Sequence, residues 1–225
     1  KNKIINVTQL KKDGRVFIYS DKKIENWNIN FNSKFNYNQN TTISSFSESL
    51  DGCITIYESK IENLNFNISN GVCEDSLNIV RSQGNIDKIY ISNSFKDGLD
   101  MDFSNININE IEIDKSGNDC VDMSFGNYDI SLLNLYRCED NAVSIGEKSN
   151  LNSNSLYVKN SLNALAVKDS SKVSLKLLFS NNNNFCFKLY NKKQEFLGGL
   201  LRLNKLVCDS KYIIDKNSYF QNNEL

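Results

Sequence analysis

The sequence predicts an all-β chain folded as a right-handed parallel β-helix, a solenoid of coils about 22 residues long. Three observations predict it: a regular short repeat, polar–apolar alternation inside each repeat, and no helix-length segment between repeats.

The segments DSLNIV (75–80), DGLDMD (97–102), DCVDMS (119–124), NAVSIG (141–146) and NALAVK (163–168) begin at a constant spacing of 22. FCFKLY (185–190) continues the series, and GCITIY (52–57) precedes it at a spacing of 23.

Within the segments, Leu77, Leu99, Val121, Val143, Leu165 and Phe187 share a parity with Ile79, Met101, Met123, Ile145, Val167 and Leu189, giving two core columns. Just before them stand only small residues, Ser76, Gly98, Cys120, Ala142, Ala164 and Cys186, which suits a tight corner. Asp75, Asp97, Asp119, Asn141 and Asn163 precede these as an Asx ladder, a residue type that bonds nearby backbone and tolerates left-handed conformations.

A second strand recurs as Ile86/Ile89/Ile91, Ile108/Ile111/Ile113 and Ile130/Leu133/Leu135, fading to Leu156/Val158 and Val173/Leu175/Leu177. Strands this close in sequence leave no room for βαβ crossovers, and the leucine–asparagine consensus of leucine-rich repeats is missing. Residues 1–50 alternate but fit the period poorly, so they are expected to form entry coils or a cap. Residues 51–210 form the β-helix and 211–225 the last coil and tail of a single domain, the ending NNEL reading as a truncation.

Lys and Arg number 26 against 27 Asp and Glu, a balance that argues against nucleic acid as the main partner. No apolar run is long enough for membrane insertion, and KNKIINV has no signal-peptide core. Without an initiating Met, the chain reads as a mature protein or an excised domain of a longer one. The absence of His removes Ser-His and Cys-His nucleophilic catalysis. The six cysteines show no CxxC spacing. Cys186 and Cys208, one repeat apart, could be bridged across adjacent coils, whereas Cys120 reads as a free thiol filling a small buried slot.

The ordered run CEDSLNIVRS, DGLDMDFS, GNDCVDMS, SIGEKSN, VKDSSK and YNKKQEF resembles the β-helix domain that accompanies spore-coat-protein-H-like (CotH) kinase domains in bacterial surface proteins. The likeness spans about residues 50–200 and implies a place at the bacterial surface or outside the cell, without bringing an activity.

Outward positions of the first strand make a stripe: Asn78, Asp100, Asp122, Ser144, Ala166 and Lys188, with Val80, Asp102, Ser124, Gly146, Lys168 and Tyr190 beside it. Asp100, Asp102 and Asp122 should cluster, since equivalent residues on adjacent coils sit about 4.8 Å apart. Like charges so close call for a proton or a hard cation, so Asp100, Asp102, Asp122 and Glu147 are candidate ligands for Ca²⁺.

A polysaccharide lyase would use that ion to neutralise a uronate and Lys168, with a lowered pKa, as base. A glycoside hydrolase would need only the pair Asp100 and Asp122. Tyr190, Lys192, Lys193 and Glu195 are the candidate substrate-binding residues. The expectation is therefore a surface or secreted module that binds or acts on an anionic polysaccharide. The alternative is a non-catalytic structural spacer or adhesion module of a larger surface protein. A homo-oligomer is compatible with either.

Overall fold

In the computed structural model, which describes residues 3–35 and 50–223, the chain is a parallel β-helix of about nine coils with no helix among the described residues. Residues 36–49 of the expected cap, and Glu224 and Leu225 of the NNEL ending, lie outside the described residues.

Each coil alternates a short strand with a long one. The short strands, among them Asp75–Val80, Asp97–Asp102, Val121–Ser124, Asn141–Gly146 and Asn163–Lys168, stack into a nine-stranded parallel sheet. The long strands, such as Gln83–Ser94, Asn105–Ser116 and Asn127–Cys138, form an eleven-stranded sheet. The register pairs Leu77 with Leu99, Leu99 with Val121 and Val121 with Val143, so the predicted core column is continuous and fully buried.

The long strands turn corners that the periodicity records. In Asn105–Ser116 the inward residues are Ile106, Ile108, Ile111 and Ile113, and the step of three between Ile108 and Ile111 is where the strand bends. In the later coil Leu178 points inward, not Leu177 as predicted, because the same step falls between Leu175 and Leu178.

Two further corners carry left-handed residues: Arg81, Phe103 and Phe125 after the short strand, and Asn93, Lys115 and Arg137 near the end of the long one. The predicted Asx column is thus corrected in one respect. It stays out of the left-handed region and bonds from coil to coil, Asp97 Oδ1 accepting from Asp119 N (2.8 Å) and Asp119 Oδ1 from Asn141 N (2.8 Å). Asparagine elsewhere does the same, Asn127 Nδ2 donating to Asn105 Oδ1 and Asn150 Nδ2 to Asn127 Oδ1, which gives its abundance a structural use.

A buried serine ladder follows the first corner: Ser59 N donates to Ser82 Oγ, Ser82 N to Ser104 Oγ, and Ser149 N to Ser171 Oγ. Gly126 stands where the ladder would place another serine, because the buried Tyr128 fills the space. A Cβ on Gly126 would lie 2.3 Å from the Tyr128 hydroxyl, which donates to Met101 O (2.7 Å).

All six cysteines are paired, as Cys53–Cys73, Cys120–Cys138 and Cys186–Cys208. Cys120 is therefore no free thiol: the small buried slot faces the end of its own coil's long strand, where Cys138 sits within bridging distance (Cα–Cα 5.5 Å). The Cys186–Cys208 bridge forms across this same corner, joining the start of Phe185–Tyr190 to the end of Leu200–Cys208.

Candidate functional site

The stripe lies in register as the alternation predicts. Asn78 pairs with Asp100, Asp100 with Asp122 and Asp122 with Ser144, while Asp102 pairs with Ser124 and Lys168 with Tyr190. Strand alternation turns these side chains away from the core, and the coil spacing brings Asp100, Asp102 and Asp122 onto one patch, each half-buried.

Asp100 and Asp102 are held above the ordinary carboxylate range. Burial pushes Asp100 well up, and Asp75, Asp102 and Asp122 add to it by repulsion. Asp102 rises to about 6 through burial and then the charges of Asp122 and Glu147. Behind them, burial and neighbouring carboxylates push Asp75 well up, Asp97 to about 7 and Asp119 to about 6. Asp100 is also fixed in place, its Oδ2 accepting from Asn78 Nδ2 at 2.9 Å.

Lys168 lies buried along the stripe. Its chain crosses Gly146, where a Cβ would meet Lys168 Cε at 3.0 Å, and its Nζ donates to Ser144 Oγ at 2.7 Å. The lowered pKa expected of Lys168 is corrected. Burial does push it down, but the combined field of Asp122, Tyr190, Asp119 and Glu147 outweighs burial and raises it. The ammonium is therefore a fixed cation facing the carboxyl patch and not a free base.

Glu147 is buried and accepts from Ser124 Oγ (2.6 Å) and Lys193 Nζ (2.5 Å). Burial pushes its carboxyl up, but these two bonds hold it below the usual range. Lys193 reaches Glu147 because Asp169, fully buried, accepts the backbone N–H groups of Lys192 and Lys193 on its Oδ1 at 2.7 and 2.8 Å. Asp169, which the sequence places just past the short strand within VKDSSK but gives no role, is a positioning residue, because its partners lie on a loop that folds back 23 residues later.

Of the remaining candidates, Tyr190 is half-buried beside Lys168, with its hydroxyl pKa raised by burial against the opposing pull of Lys168. Lys192 and Glu195 sit exposed on the loop, and no bond joins their side chains to the stripe among the described residues. Also unforeseen are the exposed Phe103 and Phe125, whose rings stack at 4.7 Å and 3° with Arg81 over Phe103. Their faces are turned to each other along the solenoid axis, so they bind coil to coil and offer only edges outward.

Among the described residues no three His, Cys, Asp or Glu side chains are disposed to hold a metal ion. No described helix is long and apolar enough to cross a membrane. Comparison with known families, with curated proteins and with solved structures gives no match.

Proposed function

We propose that this chain is a cell-surface or secreted module that binds and hydrolyses an anionic polysaccharide on the carboxyl patch, with Asp100 as proton donor and Asp122 as partner carboxylate. The observation that carries the reading is the environment of Asp100: a general acid must keep its proton at working pH, and burial among Asp75, Asp102 and Asp122 favours the neutral form. Register places the pair side by side on adjacent coils, with Cα atoms about 4.8 Å apart, so both carboxyls can reach one glycosidic bond.

Lys168 and Lys193 supply the positive charge that a uronate would meet. Because the Lys168 pKa is raised, hydrolysis is favoured over elimination. A Ca²⁺ ion, if used, would take ligands from the polysaccharide as well as from Asp100, Asp102, Asp122 or Glu147. The three disulfides support a location outside the reducing cytosol, and the motif order resembling the domains beside CotH-like kinases supports the surface.

A second reading, the non-catalytic spacer or adhesion module, is favoured by the coil-to-coil bonds of this same face. Asn78–Asp100, Ser124–Glu147 and Ser144–Lys168 stabilise the stack without any ligand.

The test is incubation with uronate-containing and neutral polysaccharides, with and without Ca²⁺, monitoring new reducing ends and unsaturated products. New reducing ends without unsaturation, lost in Asp100→Asn and Asp122→Asn, support hydrolysis. Unsaturated products would replace it with elimination, and no turnover across the panel would leave the spacer reading.

A further inference from the structure

A trough of about 480 Å³ runs along the solenoid on the long-strand sheet, away from the carboxyl patch. It follows the bend of the long strands, and its two walls are columns of outward residues. Register places Asn107, Asp129, Asn152, Ser174 and Arg202 in one column, on five successive coils. At about 4.8 Å per coil the column spans about 19 Å, the reach of an oligomer and not of a single small metabolite. The volume also lies within the usual range for ligand sites.

The chemistry of the walls separates the trough from the rest of the sheet. Elsewhere the asparagines are consumed by ladders, as in Asn105–Asn127–Asn150, and inside the trough Asn107 donates to Asn85, Asn109 to Asp87 and Asn152 to Asp129. In the second column of the trough, Ser131, Asn154, Lys176 and Asn204 have no side-chain hydrogen bond or ion pair among the described residues, nor has Arg202 opposite. Those unbonded side chains line a concave surface and leave donors and acceptors there for a ligand.

The charges narrow the ligand class. Lys176 and Arg202 sit together toward one end, on neighbouring coils, while Asp129 lies earlier in its column's order of Asp129, Asn152, Ser174 and Arg202. A uniformly polyanionic chain would meet Asp129 unfavourably, and a fully neutral one would leave two cations unused. A chain of hydroxyl-bearing rings with a carboxylate at one end satisfies both, because a guanidinium and an ammonium pair with the carboxylate and amides bond hydroxyls in either sense. From this arrangement we infer that the trough is a second, non-catalytic glycan site that binds a uronate-terminated oligosaccharide, its carboxylate at Lys176 and Arg202. The inference deepens the polysaccharide reading in substrate class but uses none of the residues of the carboxyl patch.

The test is calorimetric titration of the folded chain with a neutral tetrasaccharide carrying a single terminal glucuronate and with its methyl ester, repeated on Lys176→Ala/Arg202→Ala and on Asp100→Asn/Asp122→Asn. The trough predicts binding of the acid form that weakens at least tenfold in the Lys176/Arg202 variant, persists in the Asp100/Asp122 variant, and is weaker for the ester. Ser131→Trp, which fills the trough from an exposed position, should weaken it likewise, with thermal melts confirming that each variant is folded. No binding of the glucuronate-terminated tetrasaccharide by the wild-type chain overturns the inference. So does binding abolished by Asp100→Asn/Asp122→Asn and untouched by the trough variants, an outcome that would leave the patch reading standing. Turnover lost in the patch variants with trough binding intact separates the two proposals in the other direction.

Discussion

Cys120 and Cys138 occupy the positions held two coils earlier by Ser76 and Ser94, whose hydroxyls share a hydrogen bond of 2.7 Å. One corner thus closes its coil with a disulfide or with a serine pair, at the start of the short strand and the end of the long one.

Replacing the bridge by the serine pair used two coils earlier, Cys120→Ser/Cys138→Ser, should keep the fold and cost about 2–4 kcal/mol, the usual worth of a bridge closing a short loop. Urea unfolding measures it. Loss of the cooperative transition altogether would mean that the serine pair cannot close this corner.

The Gly126–Tyr128 relationship predicts a coupled pair. Gly126→Ser restores the serine of the ladder but drives its Cβ into the Tyr128 ring and against the Ser104 carbonyl oxygen, an overpacking that should cost about 1–3 kcal/mol. Tyr128→Leu, giving the residue type of Leu151 in the next coil, should recover part of that loss in the double variant. A double-mutant cycle with coupling below about 0.5 kcal/mol would show the two positions to be independent.

The raised carboxyls set a pH dependence. Asp97, Asp102 and Asp119, at about 7, 6 and 6, keep protons in the folded chain that the unfolded chain has released above its ordinary carboxylate pKa of about 4. The folded state therefore binds more protons between about pH 4 and 7, and stability falls as pH rises through that window. Glu147 and Asp215, shifted down, act in the opposite sense only below it. Tm should be several degrees higher at pH 5 than at pH 7.5, with a flatter slope in Asp97→Asn, whose Oδ1 can still accept from Asp119 N. A Tm that climbs from pH 5 to 7.5 would contradict the account.

Much of this architecture was legible because parity and spacing are one-dimensional. Leu99 and Asp100 are neighbours in sequence and therefore face opposite sides, and one repeat carries each to its partner on the next coil, Val121 and Asp122. What was not legible depends on the path around the corners. Cys120 pairs with Cys138 at a separation of 18, a number that no repeat announces. The left-handed corner after the short strand falls on Arg81, Phe103 and Phe125, residue types that carry no turn signal, because the coil's geometry and not local preference imposes it. The sign of the Lys168 shift is a sum over Asp122, Tyr190, Asp119 and Glu147 against burial, and only the assembled patch reveals which wins.

The central claim is that Asp100 holds a proton beside Asp122. Carbonyl-detected NMR of the side-chain carboxyls across a pH titration measures it directly, with Asp100→Asn assigning the signal. The account predicts that the Asp100 carboxyl keeps its proton well above the ordinary carboxylate range, in keeping with its burial among Asp75, Asp102 and Asp122. An Asp100 that titrates near 4, as an exposed aspartate does, would contradict it and remove the proton donor from the proposed reaction.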